Sequence, residues 1–353
     1  MGISKFEKVD LIKKVNPNIR KIHKYHPSSR FFNNQFEIYS DEPLMSSSYI
    51  IDDSNSACEL HKLLGKGAFG TVKKGVLVKS GQIVAIKIQN ITNQIDYHFK
   101  TIGDKEKARL YVNNQIEIED TLLKLTGQFI SSLTRTNFHN QEKHYSIMQY
   151  IEGIKLKDIF SQLSPQEKLA CLIQITEQLD FLHTNNYLHL DIWPENILFS
   201  NPKAILHDYG CSAKLENGKF MSKLKGSHIP PEVIQAYKNN EPCTYSTYSD
   251  IYALGMTFYE LLYEEYYDYN LDKTLDDFAE RYNIYHKKIK DIVNKKNDGI
   301  SQIINNLISV NPTERMTTKE ILNSLHLIKN NSHLQTVLSC SNANKEITDL
   351  TFK

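Results

Sequence analysis

Long apolar runs are missing from this sequence. No stretch approaches the ~18 consecutive apolar residues of a membrane-crossing helix, and the opening MGISKFEKVDLIKK holds no apolar core of the secretory type. No transmembrane segment is expected, and the protein is expected to be soluble and cytoplasmic. The Met-Gly start does not complete an acylation pattern, because position six is Phe where that pattern wants Ser or Thr. Cysteine is scarce as well: Cys58, Cys171, Cys211, Cys243 and Cys340 stand far apart, with no CxxC and no paired Cys/His spacing. That excludes a zinc ribbon or finger and fits a reduced intracellular setting. Net charge is nearly absent, since 42 basic residues face 41 acidic ones, so no global attraction to nucleic acid or anionic membrane arises. No nucleic-acid partner is expected. Repeats of solenoid length are lacking too.

What the chain does have is core material. Its 353 residues are 40% hydrophobic and 24% charged, which suits a globular protein of one large domain or two packed lobes with tails. Residues 1–57 are polar, with Pro17, Pro27, Pro43 and the run Ser46-Ser47-Ser48, and read as a partly ordered N-terminal extension. From Glu59 the pattern turns to short β-type runs, ELHKLLGKGAFG, TVKKGVLV and IVAIKI, which predict an antiparallel meander. Residues 104–125 carry apolar groups at helical intervals, and HYSIMQYIEG reads as a buried strand running into a linker. Helices dominate after that. Ser164-Pro165-Gln166-Glu167 is a capping box with Pro at the first helical position, and Leu169, Leu172, Ile173, Thr176, Leu179 and His183 share one face behind it. Ser249–Tyr263 predicts a strongly apolar helix, helical periodicity continues to about Lys329, and the rest is polar tail. The expected divisions are thus 1–57, 58–151, 152–328 and 329–353.

Gly65-Lys66-Gly67-Ala68-Phe69-Gly70 spells GxGxxG. A dinucleotide-binding turn has the same letters but runs directly into a helix, whereas Gly70 leads into a hairpin pattern. A strand-loop-strand flap is favoured, with glycines that let backbone N–H groups approach phosphate oxygens. Lys87 follows in Val84-Ala85-Ile86-Lys87, and period two sets Ala85 and Lys87 on one face of a strand. The small side chain leaves room for a flat base, and the cation can reach phosphates. A buried ammonium needs a carboxylate to stay charged and aimed. Glu119 is favoured over Glu117 for that role, because it falls on the Leu122/Leu123 stripe that should face the sheet.

His189-Leu190-Asp191-Ile192-Trp193-Pro194-Glu195-Asn196 is followed by Asp208-Tyr209-Gly210. With the glycine loop and the lysine strand before it, this order resembles the eukaryotic protein kinase family from about Leu63 to Leu322, HLD…N standing for HRD…N and DYG for DFG. The resemblance implies an α+β, bilobal protein kinase-like fold, with a small antiparallel N-lobe carrying one main helix and a larger, mainly α C-lobe. It implies ATP and Mg²⁺ as cofactors and a protein substrate. Asp191 would orient the acceptor hydroxyl and accept its proton; Lys87 and Glu119 would complete the catalytic set; Asn196 and Asp208 would hold metal. Nucleotide contacts would come from Gly65, Lys66, Gly67, Ala68, Phe69 and Gly70, from Val72, Ala85 and Lys87, from Met148, Gln149, Tyr150 and Ile151, and from Leu198. His189 and Tyr209 would pack with Leu123 in an internal column. Pro230-Pro231-Glu232 resembles the APE motif, Asp250-Ile251-Tyr252-Ala253-Leu254-Gly255 the DxWxxG helix start, and Arg315 the arginine that pairs with Glu232.

Three departures stand out. Trp193 occupies the place of the lysine in DxKPxN, a residue expected to steady the γ-phosphate, and Lys214, Lys223 or Lys225 would be the nearby bases able to replace it. Leu190 replaces the arginine that receives an activation-loop phosphate, so phosphorylation at Ser212, Ser222 or Ser227 is not expected to switch the protein on. The segment Gly226–Glu232 is also shorter than GTxxYxAPE by two residues. The retained Pro194-Glu195-Asn196 points to Ser/Thr acceptors. Two other readings stay open: a silent kinase-fold scaffold, and a small-molecule phosphotransferase.

Overall fold

The computed structural model of the chain describes residues 48–51, 57–67, 70–77, 80–136, 140–215, 228–239, 241, 244–266, 275–296 and 298–331. The chain divides into two compact units between Ile151 and Glu152. The first is built on a six-stranded antiparallel sheet of order β1-β2-β3-β4-β6-β5. Its strands are β1 (Ser48–Ile51), β2 (Ala57–Lys66), β3 (Gly70–Leu77), β4 (Ile83–Asn90), β5 (Phe129–Thr136) and β6 (Glu142–Gln149). Alternation along β4 explains its place at the centre. Val84 and Ile86 are fully buried against Leu133, Tyr145 and Ile147, while Ala85 and Lys87 belong to the other face. Strand β1 pairs with β2 through Ser48–Leu60 to Ile51–Ala57, so the sheet includes residues upstream of position 58.

Two helices follow β4, where the sequence pattern predicts only the second. Helix α1 (Ile91–Ile102) is capped by Asn90, whose side chain accepts the Asn93 N–H, and ends on Gly103 at φ 74°. Asp104 then caps α2 (Lys105–Leu125) by accepting from Glu106 and Lys107. Ile91 and Ile95, one turn apart, bury against Ala108 and Val112 of α2, and Ile102 packs against the same cluster.

The second unit is mainly helical. It contains a three-stranded sheet of order β10-β9-β7 and a two-stranded one, β11-β8, formed by β7 (Ile154–Lys155), β8 (Tyr187–Leu188), β9 (Ile197–Ser200), β10 (Lys203–Leu206) and β11 (Ala213–Lys214). Its helices are α3 (Pro165–Thr184), α4 (Pro231–Lys238), α5 (Thr247–Tyr263), α6 (Leu275–Lys296), α7 (Gly299–Leu307) and α8 (Thr318–Asn330). The expected capping box of α3 forms, with Ser164 accepting from Glu167 N and the Glu167 carboxylate bonding back to Ser164. Helix α5 starts two residues earlier than its apolar pattern predicts and is buried on all sides from Ser249 to Leu262, so it serves as the axis of this core. Cys171 is buried, and burial pushes its thiol up to about 12, which leaves it a packing residue. Among the described residues no helix is long and apolar enough to cross a membrane. The architecture is the expected α+β one, an antiparallel sheet unit followed by a mainly helical unit, with α1 as an addition to the predicted main helix of the first.

Candidate active site

In the first unit the register of β3, β4 and β6 gathers the predicted side chains onto one face. Lys87 stands between Val72 of β3 and Ser146 of β6, and Ala85 stands between Lys74 and Met148. Helix α2 supplies the partner of the lysine. Lys87 Nζ lies 2.5 Å from Glu119 Oε1, and Gln89 Nε2 donates to Glu119 Oε2 at 2.7 Å, so the carboxylate is held at both oxygens. Glu117 remains exposed, as the stripe argument requires. Beside Glu119, Asp120 accepts from Ser146 Oγ at 2.8 Å and faces His144 Nε2 at 3.3 Å. Burial works to raise the Asp120 carboxyl, but hydrogen bonds from His144, Ser132 and Ser146 and the imidazole's charge outweigh it and hold the group below its ordinary value. Helix α2 is thus tied to the sheet through two successive acidic residues.

The glycine flap divides into two kinds of glycine. A Cβ on Gly65 or Gly67 would meet nothing within 4 Å, so these positions stand open, and Gly67 N donates to Gly70 O at 2.9 Å to close the turn. A Cβ on Gly70 would lie 2.4 Å from the Ile88 carbonyl oxygen. Strand packing by itself therefore requires glycine at position 70. Gly70→Ala is expected to cost about 1–3 kcal/mol through overpacking, whereas Gly67→Ala leaves the thermal unfolding midpoint unchanged; a melting curve of each variant checks this. Lys66 is exposed on β2 opposite Thr71, and Ala68 and Phe69 lie outside the described residues. Gln149 N donates to Gln128 O at 2.8 Å at the end of β6, and Lys74 Nζ sits 4.4 Å over the Tyr150 ring, with the half-buried Ile151 ending the unit.

In the second unit the β9–β10 hairpin brings the predicted metal ligands together. Leu206 pairs with Ile197, and His207 N donates to Asn196 O at 3.0 Å, so Asp208 emerges one residue past the partner of Asn196. Asn196 Nδ2 donates to Asp191 Oδ2 at 2.7 Å and to Asp191 O at 3.0 Å, which leaves its Oδ1 as the atom able to serve a cation. Asp208 is exposed and left-handed, with φ 67°, and its Oδ1 accepts Gly210 N at 3.3 Å. A non-glycine residue in that region stores about 1–3 kcal/mol of strain, a cost that surrounding structure sustains at functional sites. One carboxylate and one amide oxygen are hard donors of the kind Mg²⁺ takes when substrate phosphates complete its shell, so the residues fit that ion. Leu198 lies on the less buried face of β9, opposite the buried Ile197 and Phe199.

Asp250, fully buried at the start of α5, sets the loop from His189 to Asp191. Its Oδ2 accepts His189 N and its Oδ1 accepts Leu190 N, both at 2.8 Å, and His183 Nε2 lies 3.0 Å from Oδ2. Leu190 adopts φ 62° under this constraint. His189 is buried, its Nδ1 takes the Asp191 N–H at 3.2 Å, and burial pushes its imidazole down against the charges of Asp250, Asp191 and Asp208. A neutral ring 5.5 Å from Tyr209 is a packing element, as expected of these two residues. Leu123, predicted to join them, is buried within the first unit. Glu195 is clasped by Lys155 and Lys157; burial would raise its carboxyl, but these two ammonium groups hold it below its ordinary value.

Arg315 confirms the predicted pair and exceeds it. Its two terminal nitrogens reach the Glu232 carboxylate at 2.8 and 2.7 Å, Nη1 also donates to Tyr248 O, Nε to Ser309 O, and the guanidinium lies 5.1 Å over the Tyr252 ring. Ser212, one of the hydroxyls weighed for phosphorylation, is fully buried with Oγ donating to His189 O at 3.3 Å, and Ser222 and Ser227 lie outside the described residues.

The sequence reading missed one neighbour of Asp191. His228 Nε2 lies 3.2 Å from Asp191 Oδ1, and the imidazole is stacked on the Trp193 ring with centroids 5.8 Å apart and planes at 27°. Of the bases weighed as replacements for the missing lysine, Lys214 stands exposed on β11 opposite Tyr187, and Lys223 and Lys225 lie outside the described residues. The signal was a histidine in a shortened segment, which no spacing rule singles out.

Comparison with known proteins matches residues 58–327 to the family model described as protein kinase domain. The chain is 29% identical over 283 residues to a probable myosin light chain kinase of Dictyostelium discoideum, covering 77% of this chain and 84% of that protein. It is 28% identical to the serine/threonine-protein kinase cds1 of Schizosaccharomyces pombe, covering 78% of this chain and 60% of the relative. An Aurora kinase of Eremothecium gossypii is 30% identical, with 58% of this chain and 52% of the relative covered.

Proposed function

Because the chain belongs to the protein kinase domain family, we propose that it transfers the γ-phosphoryl group of ATP to serine or threonine hydroxyls of a protein substrate, with Mg²⁺ as the metal. The observation that carries this reading is the Lys87–Glu119 ion pair, formed at 2.5 Å and braced by Gln89. Phosphoryl transfer in kinases needs this pair in place, because positioning and charge stabilisation supply nearly all of the catalysis. Lys87 steadies the nucleotide's phosphates, and the flap from Gly65 to Gly70 covers them. Asn196 and Asp208 would hold Mg²⁺, which supplies neutralisation of the phosphate charge when bound. Asp191, its Oδ2 fixed by Asn196, orients the acceptor hydroxyl and takes its proton.

Support for Ser/Thr acceptors comes from Pro194-Glu195-Asn196 and from the serine/threonine-protein kinase name of the cds1 relative. A second reading, a silent scaffold, draws on Trp193 in the lysine's place. Incubation with γ-labelled ATP, Mg²⁺ and a mixed set of Ser, Thr and Tyr peptides decides between them. Label is expected on Ser and Thr, falling at least about 100-fold in Asp208→Ala. Equal label in both proteins removes the enzyme reading, and label on Tyr alone removes the acceptor assignment.

A further inference from the structure

We propose that His228 is the positioning residue for the catalytic carboxylate, taking over with Trp193 the place that a lysine holds in the family pattern. This rests on the phosphotransfer reading above. The carboxylate of Asp191 has two oxygens, and each faces a different element: Asn196 Nδ2 donates to Oδ2 at 2.7 Å from within the catalytic loop, and His228 Nε2 stands 3.2 Å from Oδ1 from the segment that precedes α4. Contacts of this kind are commonly loose in the unliganded protein and tighten when substrate is bound. Asn196 thus holds one oxygen by a hydrogen bond while the His228 imidazole stands against the other, which restricts rotation of the carboxylate plane and still leaves lone pairs for the acceptor hydroxyl.

Trp193 gives this arrangement its rigidity. A lysine at that position would be a flexible cation able to reach a phosphate directly. The indole instead forms a plate against which the buried imidazole stacks, so that the ring carrying the donor loses its freedom to swing. The histidine is also anchored along the chain. Four residues on, Glu232 is locked to Arg315 by two charge-assisted bonds, and the intervening Ile229 is buried in the helical core. The two departures from the family pattern thereby account for one another. Loss of the lysine removes a cation expected to steady the γ-phosphate, and the shortened segment carries a histidine to the Asp191 carboxylate. The reaction itself is unchanged: the acceptor oxygen forms the new P–O bond, its proton passes to Asp191, and the bond to the ADP oxygen breaks.

The test is steady-state kinetics on the full chain with ATP, Mg²⁺ and the best peptide of the set, for wild type, His228→Ala, His228→Gln, Trp193→Phe and the double variant Trp193→Lys/His228→Ala. His228→Ala is expected to lower kcat about 10- to 100-fold with the KM for ATP within about twofold. His228→Gln, which keeps a side-chain N–H at similar reach, recovers kcat to within about fivefold of wild type, and Trp193→Phe, which keeps a stacking ring, does the same. The double variant exceeds His228→Ala, because the lysine returns. A His228→Ala protein as active as wild type overturns the proposal. So does a glutamine variant no better than alanine when both give wild-type melting curves. If the alanine variant does not fold, His228→Leu, which keeps the bulk and lacks the donor, takes its place in the same comparison. Wild type no more active than Asp208→Ala removes the phosphotransfer reading, and the proposal with it, before any variant is compared.

Discussion

Asp191→Asn is expected to lower kcat about 1,000-fold while the melting temperature stays within about 2 °C of wild type. The substitution preserves shape. The amide oxygen of the new residue accepts Asn196 Nδ2 where Oδ2 does now, and the backbone carbonyl of residue 191 keeps its second bond from the same nitrogen. What disappears is the basic oxygen that takes the proton of the acceptor hydroxyl. The side chain is 24% exposed, so removing its charge relieves little burial, and the new amide nitrogen faces His228 Nε2, which accepts from it once the imidazole carries its proton on Nδ1. Steady-state rates beside thermal unfolding separate the two effects. A variant that keeps more than about a tenth of the rate would mean that alignment and charge, without proton transfer, carry the chemistry.

Much of this site was legible because its residues lie in short, local patterns. Strand alternation sets Ala85 and Lys87 on one face, and helical periodicity picks Glu119 over Glu117; both follow from side-chain direction and need no knowledge of the rest of the fold. The hairpin that delivers Asp208 beside Asn196 is local too. Helix α1 went unpredicted although Ile91, Ile95, Phe99 and Ile102 fall at helical intervals and Asn90 and Gly103 are orthodox caps. Gly70 was read as a flap glycine like its neighbours, and its further need, set by the Ile88 carbonyl on the adjacent strand, is revealed only by the β3–β4 register. His228 and Asp250 act on the catalytic loop from distant segments. Such pairings depend on how α4 and α5 pack, and a single sequence holds no periodic trace of them.

Asp250→Ala is expected to be the most damaging substitution outside the residues that meet substrate, costing about 3–5 kcal/mol of stability and nearly all activity. The carboxylate is completely buried and serves three donors: the N–H groups of His189 and Leu190 and the imidazole of His183. Removing it leaves two backbone N–H groups buried without an acceptor, each worth about 1–3 kcal/mol. It also removes what sustains Leu190 at φ 62°, a left-handed conformation that costs a non-glycine residue about 1–2 kcal/mol. Once released, Leu190 relaxes toward ordinary backbone angles and carries Asp191, the next residue, out of line with Asn196. The melting temperature therefore falls by about 10 °C, and the rate falls with it. Asp250→Asn keeps one carbonyl acceptor but turns an N–H toward donors, so it falls between wild type and alanine in both measurements. The contrast with Asp191→Asn is the check. If Asp250→Ala lost rate but not stability, the buried carboxylate would be acting on the chemistry by its charge and not by holding the loop.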